Sequence, residues 1–260
     1  MSAPLPVTPR LSAAVMLLRS HAEDGGLEVF MVRRHAKSSF VPDVFVFPGG
    51  SVTDADRKAE VTAGVCVPID ALTPETSLGV GVRVAAIREL FEEAGVLLAV
   101  QDGIMIAVHG KQAKRLAKWR TQLQQDEVPI AEVAAAEDIV LATDGLTHFA
   151  HWITPETSPK RFDTHFFLAE HPAGQEAIFD ARETTEGMWV RPATALANFA
   201  ADAFPLVFAT IHQLRDLAAF ATPAEALAAW RGHSPTTIMP RVVQHDDQMI
   251  ILLPGEAEPE

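Results

Sequence analysis

The chain has 260 residues, a hydrophobic fraction of 48% and a formal net charge of −13. This length suits one large domain, and the absence of low-complexity tracts favours a soluble globule. The acidic balance opposes binding to long nucleic acids, whose affinity rests on basic side chains that neutralise phosphates. No run of about 18 apolar residues occurs, so the sequence predicts no membrane span. A lone Cys66 and the absence of a secretory pattern in residues 1–8 favour a cytoplasmic protein.

The first elements have the patterns of short strands. Ser12–Leu18 is apolar, and Leu27–Arg34 alternates as a returning strand after a Gly-rich turn. Val44–Gly50 then joins a short apolar strand to a Pro-Gly-Gly turn. The glycines of this turn, Gly49 and Gly50, allow a backbone to approach a metal ion or a phosphate closely.

An insertion and then a helix are expected next. Residues 51–77 are acidic and small at first, and they show no sustained hydrophobic period. From about Val80 to Ala94 the apolar residues recur with helical spacing, and Gly95 is placed to end the helix. The following segment, Val96–Val100, is predicted to be a buried strand.

Three carboxylates share one face of this helix. Glu89, Glu92 and Glu93 lie at relative positions 0, +3 and +4, so their side chains project together. Charges that close repel one another, and a hard divalent cation with oxygen ligands would neutralise them. The alternative interpretation is a solvated acidic face, which is a common fate of charge clusters on helices.

The second half of the chain alternates helices and strands. We expect helices over about Lys111–Gln125 and Ile130–Asp138, strands over Leu146–Ile153, Phe162–Leu168 and Gly187–Val190, a helix from Pro192, a helical stretch over Ala203–Trp230 broken at Pro223, and a last strand over Asp246–Leu253. This mixed order predicts an α/β fold with helices on both faces of a mixed sheet.

A basic stripe lies on the first of these later helices. Its members, at relative positions 0, +3, +4 and +7, are Lys111, Lys114, Arg115 and Lys118. The stripe is either a solvated face that pairs with acidic neighbours or an electrostatic guide for a polyanionic substrate.

The apolar strand, the Pro-Gly-Gly turn and the helix motif Arg88-Glu-x-x-Glu-Glu-x-Gly95 together resemble the signature of the Nudix hydrolases. The resemblance implies one Nudix-type α/β/α sandwich over residues 1–260, with a mixed sheet. Additions are then expected at 51–77, as a helical insertion at about 106–140, and as a helical C-terminal extension at about 196–232. The resemblance also implies an enzyme that uses Mg²⁺ or Mn²⁺ to hydrolyse a small nucleotide-type diphosphate.

The signature is interrupted in its loop half. Arg88 follows Gly50 by 38 positions instead of the usual 14, so about 24 residues are inserted. Val80 occupies the position, eight residues before the arginine, that normally holds a glutamate. Counting forward from Gly50 instead reaches Asp56, and either Asp54 or Asp56 is expected to take over the structural role of that glutamate.

A second motif indicates a branch of the family. The segment from Trp152 to Phe167 contains Trp-x-Thr-Pro and then Arg-Phe-Asp-Thr-x-Phe-Phe. It resembles the Nudix branch that includes an animal peroxisomal coenzyme A diphosphatase, and this implies hydrolysis of coenzyme A or an acyl derivative to adenosine bisphosphate and phosphopantetheine. The C-terminal sequence does not match a peroxisomal signal. NADH or ADP-ribose as substrate, and a Nudix fold that senses a ligand without catalysis, are the alternatives.

The match to the signature gives each helix residue an expected role. Glu89 and Glu93 are the expected metal ligands, joined by the carbonyl of Gly50 and by Glu92 through a second ion or a bridging water. Arg88 is expected to hold the loop by pairing with a carboxylate, and Gly49 and Gly95 to support the backbone.

The remaining site residues are open at this stage. The catalytic set is expected to be Glu89, Glu92 and Glu186, with Glu183 as a further candidate for the general base. Arg34, Arg161 and Asp163 are expected to contact the substrate, although Arg161 and Asp163 have the equal alternative of pairing with each other. Homodimers are frequent among similar proteins, and the apolar C-terminal helices are a candidate interface.

Overall fold

A mixed sheet forms the centre of the protein in the computed structural model, which describes residues 7–38, 40–68, 78–246 and 248–258. The strands of this sheet are β1 Arg10–Ser20, β2 Leu27–Arg34, β3 Phe45–Val46, β4 Gly49–Ser51, β8 Thr147–Ile153, β9 Phe162–Glu170, β10 Thr184–Val190 and β11 Thr237–Ile238. Their order is β10-β2-β1-β9-β8-β11, with β3 paired to β2 and β4 paired to β1. A smaller sheet joins β5 Ala99–Gln101, β6 Ile104–Met105 and β7 Val140–Leu141.

The central strand β1 is buried on both faces. It runs parallel to β9 and antiparallel to β2 and β4. Its odd-numbered apolar residues, such as Val15 and Leu17, belong to one core cluster, and its even-numbered ones, such as Met16 and Leu18, belong to the other. The continuous apolar run in the sequence therefore reflects two buried faces, as expected for a strand inside a covered sheet.

Helices cover both faces of the sheet and complete an α/β/α sandwich. The helices are α1 Asp54–Val61, α2 Val82–Ala94, α3 Gly110–Leu123, α4 Ile130–Glu137, α5 Pro192–Ala200, α6 Phe208–Leu217 and α7 Pro223–Trp230. The first four pack into the core cluster on one face, and the last three pack into the cluster on the other face. The α/β fold with a mixed sheet is confirmed. Among the described residues no helix is both long and apolar enough to cross a bilayer.

The insertion contains a helix that the sequence did not predict. Thr53 caps α1 in a capping box with Asp56, which fixes the start of this short helix. The sequence left the conformation of residues 51–77 open, and the structure shows a helix up to residue 61. Residues 69–77 lie outside the described part. Cys66, in the same insertion, is half-buried, and burial raises the pKa of its thiol to about 12.

Two boundaries after the insertion differ from expectation. The long helix begins at Val82 instead of Val80, because Gly81 adopts a left-handed conformation with φ of 91° just before it. Strand β5 contains only Ala99 to Gln101, and the expected strand residues 96–98 are irregular. These three residues are nevertheless fully or almost fully buried, so an apolar run predicted burial correctly and strand pairing wrongly.

The C-terminal third follows the prediction except at its end and before α6, where the helical stretch expected from Ala203 begins at Phe208. The predicted break at Pro223 is confirmed, since this residue lies in the first turn of α7. The expected last strand is part of a hairpin of β12 Arg241–His245 and β13 Gln248–Leu252, in which Asp246 takes a φ of 52° at the turn. This hairpin, whose first strand was not predicted, forms a two-stranded sheet of its own.

Candidate active site

Helix α2 divides its residues between the core and a cavity. Ile87, Leu90 and Phe91 are buried in the core cluster on this face of the sheet. The face that carries Glu89, Glu92 and Glu93 lines a cavity of about 780 Å³. Gly95 ends the helix with φ of 71°, and its N–H donates to the carbonyl of Phe91 at 3.0 Å. The sequence thus brings the three carboxylates together, as their spacing predicts.

The Pro-Gly-Gly turn lies directly against this helix face. The N–H of Gly49 donates to Oε2 of Glu93 at 2.9 Å. A Cβ atom on Gly49 would lie 2.5 Å from the carbonyl oxygen of Ala13, and one on Gly50 would overlap the carboxylate of Glu89. Both positions therefore need glycine because other groups occupy the space of a side chain.

Arg88 connects helix α2, the insertion and strand β4, which contains Gly49 and Gly50 and is called the glycine strand below. Its guanidinium donates to both carboxylate oxygens of Asp56, at 2.9 and 3.0 Å, and to the carbonyl of Ser51 at 3.0 Å. It also donates to Glu89 at 2.8 Å and to Glu92 at 3.0 Å. The position of Arg88 is that of a residue that holds the loop against the helix.

Asp56 is the aspartate of α1 that pairs with Arg88. Its side chain is fully buried in α1 and accepts hydrogen bonds from Thr53 as well as from Arg88. Asp54 is fully exposed, and its nearest cation is Arg57 at 3.9 Å. Of the two aspartates that the sequence left open, Asp56 is therefore the partner of Arg88.

The electrostatics of the cluster favour a bound cation. Burial raises the pKa of Glu89 to about 7 against the opposing charge of Arg88, and burial likewise raises the pKa of Glu92. Burial and the nearby Glu89 raise the pKa of Glu93 well above its usual value. Carboxyl groups held in this state ionise readily only when positive charge joins them, and their oxygens are the donors that Mg²⁺ and Mn²⁺ prefer. The residues present fit a divalent metal ion.

A loop docked on the end of α2 brings a fourth carboxylate to the cavity. The N–H of Asp180 donates to the carbonyl of Glu93 at 3.1 Å, and the buried carboxylate of Asp180 accepts from the backbone of residues 182–184. This arrangement holds Glu183 at the cavity wall, where its charge acts on Glu93. The motif alone did not favour Glu183 over Glu186, because docking of the loop depends on Asp180, which is distant in sequence from α2.

Glu186, which was expected in the catalytic set, lies elsewhere. It follows an irregularity in the pairing of β10 with β2, and its carboxylate lies 3.7 Å from the guanidinium of Arg33. Its side chain is 43% exposed, and Glu186 is not among the described residues that line the cavity. The expectation for Glu186 is corrected to a surface ion pair.

Of the three expected substrate contacts, only Arg34 lines the cavity. It reaches both the main cavity and an adjoining polar recess of about 370 Å³, and its buried Nε has no hydrogen-bond partner among the described residues. The other residues of this recess are His35, Lys37, Ser38, Arg182 and Glu183. A buried, unpaired donor beside basic side chains suits a phosphate group.

Arg161 and Asp163 have structural surroundings and do not pair with each other. Arg161 is buried and donates to the carbonyls of Thr154 at 3.0 Å and Val7 at 2.8 Å. Asp163 lies 2.5 Å from Nε2 of His151. The expected pairing of the two is therefore wrong, because other groups already engage each side chain, and neither residue is among the described residues that line the cavity.

The basic stripe of α3 is a solvated face. Its three lysines are exposed, and Arg115 pairs with Glu137 at 2.8 Å. None of the four is among the described residues that line the cavity. The placement supports the interpretation that the stripe pairs with acidic neighbours.

Apolar and aromatic side chains line the same cavity as the carboxylates. They come from the loop before β3, the segment before β4, strands β8 and β9, helix α6 and the C-terminal hairpin: Phe40, Phe47, Trp152, Phe162, Phe166, Phe208 and Ile251. The cavity volume is in the range of sites that enclose a small molecule. The lining can therefore hold a metal and a phosphate at its charged groups and an apolar group at its aromatic side chains.

Comparison with known proteins agrees with this geometry. Residues 66–220 match the family model of the NUDT19 Nudix domain. Acyl-coenzyme A diphosphatase NUDT19 of Xenopus laevis is 24% identical over 95% of this chain and 75% of its own length, and the Homo sapiens protein of that name is 26% identical over 89% and 72%. The crystal structure of a Nudix hydrolase from Alicyclobacillus acidocaldarius has a TM-score of 0.70, with 24% identity over 85% of this chain and 96% of that chain.

Proposed function

The chain belongs to the NUDT19 Nudix domain family of hydrolases, and from this premise we propose that it cleaves the diphosphate of coenzyme A or an acyl-coenzyme A. In this reaction water adds across one P–O–P bond and gives adenosine 3′,5′-bisphosphate and phosphopantetheine or its acyl derivative. The observation that supports the proposal best is the cavity that Glu89, Glu92 and Glu93 line together with aromatic side chains.

Nudix hydrolases use divalent metal ions, and we propose Mg²⁺ or Mn²⁺ for this one. Glu89 and Glu93 would hold the ion, with Glu92 and the backbone at Gly50 beside them. A bound ion of this kind neutralises charge on phosphate oxygens and lowers the pKa of a coordinated water. Arg88 holds the carboxylates of Glu89 and Glu92 in place through its hydrogen bonds, and the N–H of Gly49 orients Glu93.

We assign the removal of a proton from the attacking water to Glu183, with Glu89 as the alternative. Glu183 lines the cavity beside Glu93, and its backbone N–H donates to the carboxylate of Asp180. It is therefore held in place by a segment outside helix α2. A general base of this kind typically accelerates a reaction by about 10²–10⁴-fold.

The side chains that line the cavity and the polar recess indicate how the substrate would bind. Arg34 and the basic side chains of the polar recess would bind phosphate, and the aromatic side chains of the cavity would hold the apolar part of the pantetheine or acyl group. We also retain a cytoplasmic location and a homodimer as proposals, supported by the lone Cys66 and the apolar C-terminal helices respectively.

A panel of diphosphates tests the proposal. Coenzyme A, an acyl-coenzyme A, NADH and ADP-ribose are incubated with the protein and Mg²⁺ or Mn²⁺, and products are identified by mass. We expect bisphosphate release from the two coenzyme A compounds. Preferred cleavage of NADH or ADP-ribose would reassign the substrate, and no cleavage of any member would overturn the proposal.

Three variants test the assigned roles in the same assay. Glu93→Gln is expected to abolish metal-dependent turnover while the circular dichroism spectrum is unchanged. Glu183→Gln is expected to lower kcat at least 100-fold. Glu186→Gln is the matched control, since this carboxylate lies outside the cavity, and an equal loss in both variants would remove the role of Glu183 as base.

A further inference from the structure

A second cluster of ligand-type side chains lies on the edge strands β8 and β9. His151, Asp163 and His165 each offer one nitrogen or oxygen atom, and these three atoms lie within 4.8 Å of one another. Nε2 of His151 is 2.5 Å from Oδ1 of Asp163, and Nε2 of His165 is 4.0 Å from the same oxygen. None of the three is among the described residues that line the substrate cavity.

A β-bulge creates this cluster. The register of β8 against β9 shifts between His148 and Ala150, so that His151 lies opposite His165. Phe149 and Ala150 both pack into the core on one face of the sheet, whereas the ring of His148 contacts Phe167, which belongs to the other core cluster. An unbroken alternation would have put His148 and His151 on opposite faces, and the bulge puts them on the same one.

Each imidazole of the pair has its outer nitrogen fixed by another side chain. Nδ1 of His151 lies 2.8 Å from Oγ1 of Thr237 on β11, and Nδ1 of His165 lies 3.1 Å from Nε2 of His148. The two Nε2 atoms are left for Asp163. Histidines that bind metals almost always have this arrangement, in which a partner on one ring nitrogen orients the other nitrogen toward the ion.

We propose that His151, Asp163 and His165 form a site for a divalent transition-metal ion, such as zinc, that is separate from the carboxylate cluster of α2. Two imidazole nitrogens and one carboxylate oxygen suit zinc rather than magnesium, and solvent supplies the fourth position of a tetrahedral ion. Bonds of about 2.0–2.2 Å require the ligand atoms to lie about 3.3 Å apart. On binding, the 2.5 Å separation of His151 from Asp163 would therefore open and the 4.0 Å separation of His165 from Asp163 would close, each by less than an ångström, in a cluster whose ligand atoms lie within 4.8 Å of one another.

The charge balance makes Asp163 essential. Arg83 is close enough to act electrostatically on His148 and His165, and a cation would be repelled without the carboxylate. On binding, the ion takes the place of the proton between Nε2 of His151 and Asp163, and the neutral ring keeps one proton on Nδ1, where Oγ1 of Thr237 accepts it. The site would tie β8, β9 and, through Thr237, β11 together behind Trp152 and Phe166, which line the substrate cavity from the other face.

Cobalt(II) is the probe that distinguishes the two sites. In a tetrahedral site with imidazole ligands it absorbs visible light far more strongly than in an octahedral site of oxygens. We expect one equivalent of Co²⁺ to give the strong band in the tag-free protein, Zn²⁺ to abolish the band, and Glu93→Gln to retain it.

The variants for this test are His151→Ala and the near-isosteric Asp163→Asn, with His233→Ala as the control for an exposed histidine outside the cluster. The first two are expected to lose the band and to weaken Zn²⁺ binding at least 100-fold in equilibrium dialysis, and the control to keep both. Only weak octahedral absorption in the unaltered protein, or a strong band that survives in both cluster variants, would overturn the site.

Discussion

Arg88 is the residue on which the arrangement of the active-site carboxylates depends. One guanidinium serves Asp56, Glu89 and Glu92, and a carbonyl of the glycine strand as well. Because Asp56 is fully buried, its charge is compensated by these contacts. Removing that charge takes away one of the three carboxylates that balance the positive charge of Arg88. The cluster therefore behaves as a unit in which the insertion, through Asp56, positions residues of α2.

We predict that Asp56→Asn destabilises the protein by about 3 kcal/mol, the usual cost of breaking a buried ion pair. Activity should fall as well, since Arg88 would shift toward Glu89 and Glu92. Urea denaturation and the hydrolysis assay measure the two effects. Asp54→Asn, an exposed change in the same turn of α1, is the control and should alter neither; equal effects in both variants would contradict the pairing of Asp56 with Arg88.

Protonation of Glu89 should be visible in the pH dependence of stability. Its folded-state pKa, about 7, lies above the ordinary value of 4.5, so the folded protein binds this proton more tightly than the unfolded chain does. Stability from this group is full below about pH 4.5 and is lost as the pH rises through about 7. In EDTA, Glu89→Gln should therefore melt several degrees above the unaltered protein at pH 8 and at nearly the same temperature at pH 4.5. A difference independent of pH would contradict the raised pKa.

At the scale of elements, the glycine strand β4 sets how closely the sheet approaches α2. Gly50 has no room for a side chain on the side of Glu89, whereas a Cβ atom added to the exposed Gly145 would meet no atom within 4 Å. We predict that Gly50→Ala lowers kcat on the order of 100-fold, because displacement of Glu89 by about an ångström misplaces a metal ligand. Gly145→Ala should leave kcat unchanged. Full activity of Gly50→Ala would contradict the close approach of Gly50 to Glu89.

Sequence patterns predicted the elements whose cause is local and missed those whose cause is distant. Helix α2 was predicted because its apolar spacing and Gly95 lie within one segment. Helix α1 was missed because its amphipathic pattern spans only two turns and its capping box has Asp56 where Glu or Gln is the usual residue. The contact of Asp56 with Arg88, 32 positions away, adds support that no local pattern shows. The expected strand at Val96–Val100 was mostly wrong because an apolar run reports burial, and pairing depends on the partner strand.

The same distinction holds for the site. Glu89, Glu92 and Glu93 were placed together correctly, since helical geometry alone aligns them. Glu183 could not be preferred over Glu186, because the choice depends on the docking of Asp180 against the end of α2. Arg161 was expected to contact substrate from a motif, yet its guanidinium donates to Thr154 of the same motif and to Val7, which is distant in sequence.

The whole molecule encloses the cavity with elements from both ends of the described chain. Residues near the start of β1, the glycine strand and Ile251 of the C-terminal hairpin all line it. Because β12 and β13 pair with each other and with no other strand in the described part of the chain, this part of the lining is held to the rest by side-chain packing rather than by the main sheet. A substitution in the hairpin is therefore expected to change how an apolar group fits the cavity without moving the carboxylates of α2.

We predict that Ile251→Glu raises KM for an acyl-coenzyme A about tenfold while kcat and the KM for free coenzyme A change by less than a factor of two. Loss of one aliphatic contact is worth about 1.5 kcal/mol, which corresponds to that tenfold change. Met249→Glu is the matched control, since Met249 lies two residues away on the same strand, is 65% exposed and is not among the described residues that line the cavity. Steady-state kinetics on both substrates measure the effect. An equal rise of KM for both substrates in the Ile251 variant, or the same rise in the control, would contradict contact between the hairpin and the acyl group.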